Sequence, residues 1–277
     1  MKREGIKTNV FLTGASSGIG RAIASALLDE GYEVWGTARD LRHLSELRGL
    51  HPLEMDFLVP GSVEKAWARA LEEAGSIDVV IQNAGWGHFG SIEETDSAAA
   101  QRQWVVLVDG PLTLLRLAAA HLRQRKRGWI IGISSLAGEM PMPFFAHYSA
   151  GKAALSALLA GLWMELHPFG VRVVDLRPGD IRTPFNEVAG KTIPDQSPYQ
   201  PWIRRAWDEN CRLLSLAPGP ELVAKLILRM LRKGDAPAMK RCGSFFQAVI
   251  GPLGSVFLSR TGLLDSIRKY YQLDAKP

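Results

Sequence analysis

The sequence predicts an α/β fold: a doubly wound parallel sheet of about seven strands, in three layers with helices on both faces. Short apolar runs alternate with stretches of helical periodicity through residues 9–176, which is the order expected of successive strand–helix–strand units. The first run leads directly into a glycine-rich turn, and later runs end in small polar residues. Because the carboxyl ends of parallel strands meet at one edge of a sheet, a ligand site is expected at that edge.

The individual elements are predicted from residue type and spacing. Runs of buried-type residues predict strands at 9–13, 33–37, 53–56, 77–81, 129–133 and 171–176, with an edge strand at 236–239. Apolar residues at helical spacing predict helices at 21–30, 62–74, 96–127, 146–167 and 220–232.

Length and composition bound the class of protein. The 277 residues, 47% of them hydrophobic and 22% charged, predict one domain over 1–277. Within it, residues 184–216 are rich in proline and aromatic side chains and are expected to form a substrate lid, and residues 242–277 a helical extension. Two cysteines without metal-ligand spacing predict no metal site. Together with the lack of a recognisable signal peptide, they favour a cytoplasmic protein.

The charge pattern bears on partners. The net charge of +5 is spread along the chain, without the basic face or helix-turn-helix context that nucleic-acid binding needs, so no nucleic-acid partner is predicted. No run approaches 18 consecutive apolar residues, so no membrane-spanning helix is expected. In the extension, apolar residues at 245, 246, 249, 250 and 256–258 alternate with basic ones. Such a segment closes over a pocket, packs in a dimer or lies on a membrane; we favour the first two.

The glycine-rich turn predicts a dinucleotide site. Residues 13–20 read Thr-Gly-Ala-Ser-Ser-Gly-Ile-Gly between a predicted strand and a predicted helix. Glycines permit a tight turn and close approach of a phosphate, and the helix N-terminus offers free N–H groups. The spacing G-x-x-x-G-x-G differs from the commoner G-x-G-x-x-G. The alternative is a glycine turn without a ligand.

The end of the second strand indicates which dinucleotide binds. In this fold an acidic residue there binds a ribose 2′-hydroxyl, whereas an arginine accommodates a 2′-phosphate. The strand ends in Ala38 and Arg39, with Asp40 one residue later, which favours NADP over NAD. In the alternative interpretation Arg39 only caps the turn and Asp40 is a helix N-cap. Asp56, at the end of the third strand, is placed near an adenine.

Tyr148 and Lys152 are the candidate proton-transfer pair. They lie four residues apart on one face of a predicted helix. A lysine ammonium favours the phenolate, so the tyrosine can exchange a proton nearer neutral pH. Such pairs also occur by chance on helix surfaces. Here the other unusual segments also fall at the carboxyl ends of predicted strands, namely residues 14–20, Arg39, Asn83, Ser135 and Thr183.

With these motifs in this order, residues 9–183 resemble the short-chain dehydrogenase/reductase family. The resemblance rests on TGASSGIG at 13–20, NAG at 83–85, Ser135 ahead of YSAGK at 148–152, and RPGDIRT at 177–183. It implies a Rossmann-like fold and an NADP(H)-dependent oxidoreductase that interconverts a ketone or aldehyde with its alcohol. It also implies a homodimer or homotetramer paired through helices 96–127 and 146–167. The substrate is expected to be apolar, of steroid, retinoid or lipid type.

The resemblance also implies residue roles. Tyr148 is the general acid or base, Ser135 polarises the substrate oxygen, and Lys152 lowers the pKa of the tyrosine and binds the nicotinamide ribose. The remaining cofactor contacts are assigned to Gly14, Ser16, Ser17, Gly18, Ile19, Gly20, Arg39, Asp56, Asn83, Ala84, Gly85, Pro178, Gly179, Ile181 and Thr183. Two of these residues have purely structural alternatives. In these, Asn83 chiefly joins neighbouring strands and Thr183 only caps the next helix.

One position departs from the family. Leu107 stands where an asparagine usually holds a proton-relay water, and leucine cannot hydrogen-bond. This difference motivates a rival from another class, a non-catalytic NADP-binding sensor or scaffold. A rival within the enzyme class is a reductase of 3-oxoacyl thioesters.

Overall fold

The computed structural model describes residues 8–244, 247 and 257–274. In this part of the chain the strands are β1 (Asn9–Leu12), β2 (Glu33–Ala38), β3 (His51–Glu54), β4 (Val79–Gln82), β5 (His88–Phe89), β6 (Gly128–Ile133), β7 (Val171–Pro178), β8 (Gly190–Lys191) and β9 (Met239–Cys242). The α-helices are α1 (Gly18–Asp29), α2 (Ser62–Ala74), α3 (Ser97–Trp104), α4 (Gly110–Arg125), α5 (Ala146–Leu166), α6 (Phe185–Val188), α7 (Trp202–Leu216), α8 (Glu221–Lys233) and α9 (Arg260–Tyr270).

The main sheet has seven strands in the order β3-β2-β1-β4-β6-β7-β9. Every neighbouring pair in it is parallel. The chain winds outward from β1 to β3 and then in the opposite direction from β4 to β9. The predicted doubly wound α/β fold is confirmed, and the switch point where ligands bind in such sheets lies between β1 and β4.

Helices cover both faces of the sheet, which makes the three predicted layers. On one face Ile23 and Leu27 of α1 pack with Val223 and Ile227 of α8 against the sheet. On the other face α2, α4 and α5 bury a second core around residues such as Leu114. Each such fully buried side chain stabilises the fold by roughly 1.5–3 kcal/mol. The carboxyl edge of the sheet remains for the site.

Two predicted strands are shifted along the chain. The third strand, predicted at 53–56, is found at His51–Glu54, because its register with β2 pairs His51 with Trp35; their rings stack with centroids 4.3 Å apart. The edge strand, predicted at 236–239, is found at Met239–Cys242, where Met239 pairs with Asp175 of β7. Partner strands set both boundaries, and local composition does not reveal them.

The long central helix contains a wider turn. Instead of one α-helix over 96–127, a π-helical segment at Val105–Asp109 joins α3 to α4. Such insertions are rare and often mark functional sites. By length and composition the stretch Ser97–Arg125 could cross a membrane, although the sequence contains no long apolar run and no spanning helix was expected. Of its most apolar window, 44% is buried inside the protein. Burial of Leu114 and Leu122 in the core is typical of a core helix.

Residues 184–216 fold over the carboxyl edge of the sheet. They contain α6, the short strand β8 and α7. The strand pairs with β5 in a separate two-stranded sheet, which the sequence did not predict. Beneath them lies a third apolar cluster built around Phe89, Phe145 and Ile203. This covering is what we define as the lid.

Of the extension predicted at 242–277, residues 242–244, 247 and 257–274 are described. Helix α9 buries Leu263, while Phe257 and Leu258 are exposed. The other apolar residues singled out there, Phe245, Phe246, Val249, Ile250 and Val256, lie outside the described residues.

Candidate active site

The glycine turn forms a cradle between β1 and α1. Gly14 and Gly18 have φ angles of +68° and +51°, a region that strongly favours glycine. A Cβ atom at Gly20 would lie 1.9 Å from the backbone oxygen of Gly14, so only glycine fits there. Ser17 precedes α1 without capping its first turn through its side chain. The helix N-terminus thus offers N–H groups to a phosphate, and the cradle fits a dinucleotide.

Asn83 fixes this cradle to the sheet. Its side-chain nitrogen donates to the backbone oxygens of Thr13 and Gly14, at 3.0 and 3.2 Å. Its role in stitching strands is therefore visible directly. Thr183 does not cap the next helix, because α6 follows Pro184 without a side-chain cap. Instead Thr183 lies against the cradle, 3.2 Å from where a Cβ atom of Gly18 would be.

At the tip of β2, the Asp40 side chain has an ion-pair partner, whereas Arg39 has none among the described residues. Asp40 accepts a hydrogen bond from the backbone N–H of Arg42 at 2.9 Å and pairs with its guanidinium at 2.6 Å. Hydrogen bonding from Arg42 lowers the pKa of Asp40 to about 2. Within the described residues Arg39 is exposed and has no ion partner, and it lines the central cavity. Asp40 is thus the N-cap of the short helix Leu41–Leu44.

The three candidate catalytic side chains meet beside the cofactor cradle. Ser135 follows β6, and Tyr148 and Lys152 lie in the first turns of α5. The Ser135 hydroxyl donates to the Pro178 carbonyl at 3.4 Å, accepts from the backbone N–H of Ala137 at 3.1 Å and lies close enough to the Tyr148 hydroxyl to lower its pKa. The Nζ atom of Lys152 donates to the Ile133 carbonyl at 2.8 Å. A substrate oxygen can therefore meet Ser135 and Tyr148 together.

The pKa values in this trio differ from the sequence expectation. Burial raises the pKa of Tyr148 to about 12, although the Ser135 hydrogen bond lowers it. Burial also lowers the pKa of Lys152 to about 8, against the opposing effect of Asp175. The ammonium group lies 5.8 Å from the centre of the Tyr148 ring and is directed at Ile133. In this geometry Lys152 does not bring the tyrosine pKa towards neutral.

Leu107 fills the space beside the lysine. It belongs to the π-helical segment and is 1% exposed. A Cβ atom at Gly151 would lie 2.8 Å from the Cβ atom of Leu107, and one at Gly85 would lie 3.5 Å from both Leu107 and the Nζ atom of Lys152. Leu107 therefore fits here because the facing residue of the YSAGK motif, Gly151, has no side chain. Asp109, two residues further along, is exposed.

A buried polar network supports the loop after β6. Ser134 donates to Asp175, which pairs with Arg177 at 2.6 Å. Arg177 pairs with Glu139, and Arg241 of β9 pairs with the same carboxylate at 2.9 Å. The network ties the edge strand to the segment that carries Ser135. Because its charges are partnered, it can persist in a low-dielectric interior.

One cavity of about 670 Å³ brings the predicted residues together. Its volume suits a small-molecule site. Every residue assigned from the sequence lines it: Gly14, Ser16, Ser17, Gly18, Ile19, Gly20, Arg39, Asp56, Asn83, Ala84, Gly85, Ser135, Tyr148, Lys152, Pro178, Gly179, Ile181 and Thr183. Within the described part of the chain, no group of three His, Cys, Asp or Glu side chains could hold a metal ion.

The other end of the cavity is largely apolar and was only partly predicted. Trp86 and Met140 line it, whereas Phe89 and Phe144 pack below it in the cluster under the lid. Residues that sequence reasoning missed come from three segments: Asp180 within the RPGDIRT motif, Phe185 and Leu214 of the lid, and Gln247, Leu263, Ile267, Tyr270 and Tyr271 of the extension. Only Asp180 carried a signal, its place at the end of a predicted strand.

His88, a histidine near the site, is engaged in a contact with the lid. The ring of His88 hydrogen-bonds to the Thr192 hydroxyl at 2.9 Å, and burial lowers its pKa. His88 and Thr192 therefore join the lid to the segment after β4.

Comparisons with known proteins agree with this geometry. A family model described as short chain dehydrogenase matches residues 8–193. A 3-ketodihydrosphingosine reductase of Bacteroides thetaiotaomicron is 33% identical over 178 residues, which are 64% of this chain and 65% of that protein. An NADPH-dependent 1-acyldihydroxyacetone phosphate reductase of Saccharomyces cerevisiae is 33% identical over 203 residues, covering 70% of this chain and 67% of the yeast protein.

Solved structures extend the similarity to the whole chain. A short-chain dehydrogenase from Streptomyces avermitilis superposes with a TM-score of 0.81 at 28% identity, covering 99% of this chain and 100% of that one. The cradle, the Ser–Tyr–Lys trio and the parallel sheet thus occur together in a chain that matches this family model. The chain belongs to the short-chain dehydrogenase/reductase family of oxidoreductases, whose members bind a nicotinamide cofactor.

Proposed function

We propose that this protein is an NADPH-dependent reductase that interconverts an apolar ketone or aldehyde with its alcohol. The observation that carries the proposal is the meeting of Ser135, Tyr148 and Lys152 in one cavity with a dinucleotide cradle. Bound NADPH would supply a hydride to the carbonyl carbon. The cradle and Arg39 would hold the phosphates, and Asn83, Ile181 and Thr183 line the part of the cavity between cradle and trio.

The chain's own groups supply positioning and the proton. Ser135 donates a hydrogen bond to the substrate oxygen and favours the negative charge that develops there. Tyr148 gives its hydroxyl proton to that oxygen. Because burial raises the pKa of Tyr148 to about 12, the hydroxyl stays protonated at neutral pH and is ready to donate. The carbonyl is reduced to an alcohol, and the phenolate regains a proton from solvent.

The apolar end of the cavity supports an apolar substrate. Side chains such as Met142, Phe185, Leu214 and Ile267 surround the position beyond Tyr148. The lid and α9 both contribute to this lining, so the substrate would be enclosed on two sides and shielded from water. Two relatives bear the names of reductases of 3-ketodihydrosphingosine and of 1-acyldihydroxyacetone phosphate, which is consistent with a carbonyl substrate.

The choice of NADPH over NADH rests on the tip of β2. The carboxylate that would bind a ribose 2′-hydroxyl is engaged, because Asp40 pairs with Arg42. Arg39 lines the cavity without an ion partner among the described residues. We expect Arg39→Ala to raise the KM for NADPH about tenfold or more, as loss of a charge-assisted hydrogen bond implies, and to leave the KM for NADH little changed. Arg48→Ala, at an exposed position, is the control.

The activity is tested by NADPH consumption. The substrates are steroid, retinoid, aryl and 3-oxoacyl thioester carbonyls, each also run with NADH. Tyr148→Phe keeps the ring and removes the proton donor, so kcat should fall about 10²–10⁴-fold. Tyr32→Phe, which alters a core tyrosine remote from the cavity, should retain turnover.

Three outcomes distinguish the candidates. Turnover that requires NADPH and Tyr148 supports the reductase. Preference for thioesters would move the substrate class to 3-oxoacyl compounds. Tight NADPH binding with no turnover in any class, and no difference between wild type and Tyr148→Phe, would favour a sensor or scaffold and remove the proposal.

For the assembly, we propose pairing of copies through the two long helical segments. Large apolar side chains are exposed there, Trp104 and Leu112 on α3 and α4 and Trp163 and Met164 on α5. Exposed apolar patches of this kind are common in protein interfaces. Sedimentation should show a dimer or tetramer that Leu112→Lys with Met164→Lys converts to a monomer. A monomeric wild type would exclude this pairing.

A further inference from the structure

Asp180 places a carboxyl group in the wall of the substrate end of the cavity. It follows β7 and lines the cavity with Tyr148. Gln247 holds it from the extension: the Gln247 side-chain nitrogen donates to Oδ2 of Asp180, and its oxygen accepts from the Asp180 backbone N–H at 3.0 Å. The remaining oxygen, Oδ1, receives no hydrogen bond from the described residues. A fixed acceptor therefore faces the cavity.

Among the described residues, Asp180 has no partner of opposite charge. Within the part of the chain that the structure describes, no Lys, Arg or His forms an ion pair with Asp180, whereas the buried Asp175 pairs with Arg177 at 2.6 Å. Burial raises the pKa of Asp180, and the Gln247 hydrogen bond opposes the rise only in part. A buried carboxylate without a positive partner is costly. A ligand cation would remove that cost.

The surroundings of Asp180 also favour a cation. Its charge acts on the hydroxyls of Tyr148, Tyr270 and Tyr271, all of which line the same cavity. Tyr270 and Tyr271 lie with ring centroids 5.6 Å apart. Aromatic rings attract ammonium groups through their π faces. A carboxylate among three tyrosines is expected to bind a protonated amine better than it binds a neutral ligand that donates a hydrogen bond.

The position fixes where on the substrate such a group would lie. Tyr148 is within electrostatic reach of Asp180, and Tyr148 is also the proposed proton donor to the carbonyl oxygen. Asp180 and Tyr148 line the same cavity, so a group bound by Asp180 would share this end of the cavity with the reacting carbonyl. The apolar lining from the lid and α9 would hold the rest of the molecule.

We propose that Asp180, held by Gln247, selects substrates that carry a protonated amine a few bonds from the reacting carbonyl, so that the substrate class is amino ketones. This inference rests on the proposed reductase function. It adds a specificity-determining residue that the sequence motif did not reveal.

The test compares ketones that differ in one group. β-Aminopropiophenone, β-hydroxypropiophenone and butyrophenone share the phenyl ketone and end in ammonium, hydroxyl and methyl groups. The ratio of kcat/KM for the amine to that for butyrophenone is measured in wild type, Asp180→Asn and Asp180→Ser. Asp195→Asn is the matched control, because that side chain is exposed on the lid surface. NADPH affinity is measured in each variant by cofactor fluorescence.

Binding is measured separately from turnover. Shifts in melting temperature with the amino alcohol and with its methyl counterpart, in the presence of NADP, report recognition even if neither ketone is reduced. We expect the amine to be preferred about tenfold or more by wild type and Asp195→Asn, as for a charge-assisted hydrogen bond. Both Asp180 variants should lose that preference.

The outcomes separate the two proposals. Loss of the amine preference in turnover or in binding, with NADPH affinity retained, supports the role of Asp180. An amine preference that is equal in wild type and both Asp180 variants overturns it. So does a variant that weakens only NADPH binding, because Asp180 would then contact the cofactor. Asp180-dependent amine binding without any reduction would instead overturn the reductase and keep the amine site.

Discussion

Replacing Lys152 with methionine is expected to raise the free energy of unfolding at neutral pH while removing turnover. The Nζ atom is buried and donates to the Ile133 carbonyl at 2.8 Å. Burial lowers the pKa of Lys152 from 10.5 to about 8. Below pH 8 the folded protein therefore encloses a positive charge that the unfolded chain keeps in water.

The size of the effect follows from that pKa difference. Each pKa unit corresponds to about 1.4 kcal/mol, so enclosing the charge of Lys152 costs roughly 3 kcal/mol at pH 7. Methionine is of similar shape and carries no charge. It leaves the Ile133 carbonyl without its donor, which costs about 1 kcal/mol. We therefore expect Lys152→Met to be more stable than wild type by about 2 kcal/mol at pH 7.

The gain must shrink as pH rises. The folded pKa of Lys152 is the lower one, so between about 8 and 10.5 the unfolded chain binds more protons than the folded protein. Wild-type stability due to this group accordingly increases with pH over that window. Above it the lysine is neutral in both states, and only the lost hydrogen bond separates variant from wild type.

Urea unfolding at several pH values from 7 to 10, followed by tryptophan fluorescence, measures this difference. The matched control is Lys65→Met, at an exposed position on α2, for which no trend with pH is expected. A stability difference between wild type and Lys152→Met that stays constant over this range, or a variant that is less stable at pH 7, would refute the reasoning.

Three further substitutions test other parts of the site. Gly20→Ala would place a Cβ atom 1.9 Å from a backbone oxygen of the cradle, so NADPH affinity measured by fluorescence should fall at least tenfold. In the control Gly161→Ala the new Cβ atom meets no atom closer than 3.8 Å, and the free energy of unfolding should rise by about 0.5–1 kcal/mol. Gly151→Ala should destabilise wild type more than it destabilises Leu107→Gly, since Leu107→Gly removes the Cβ, Cγ and Cδ1 atoms that the new methyl group would meet; equal losses in a double-mutant cycle would contradict the contact. For Glu139, burial raises the pKa but two arginines outweigh it and hold it below the usual value. Its stabilising effect is therefore present above the unfolded pKa of 4.5 and lost below it, and Glu139→Gln should flatten the acid limb of stability in urea melts at pH 3–6.

Much of the site could be predicted from sequence because its motifs encode local geometry. The cradle needs glycines at positions that a Cβ atom would block, as Gly20 shows. Tyr148 and Lys152 face the same way because a helix repeats every 3.6 residues. Parallel strands then bring separate motifs to one edge, which is why residues as distant as Arg39 and Thr183 line one cavity.

What could not be predicted depends on contacts between distant segments. The acceptor for Lys152 lies on β6, and the partner of Asp180 lies 67 residues away in the extension. The tyrosine pKa was expected to fall because a lysine is near in sequence, yet burial dominates and raises it. The bounds of β3 and β9 depend on register with β2 and β7. None of these follows from local residue patterns.

The small sheet of β5 and β8 holds the first part of the lid in place. Gly190 donates to the Gly87 carbonyl at 3.0 Å, Thr192 to that of Phe89 at 2.7 Å, and the Trp86 ring N–H to that of Val188 at 2.9 Å. These hydrogen bonds fix the first part of the lid to the segment that follows the NAG motif. A hinge there would have to break them together. The first part of the lid is therefore expected to stay in place when substrate enters and product leaves.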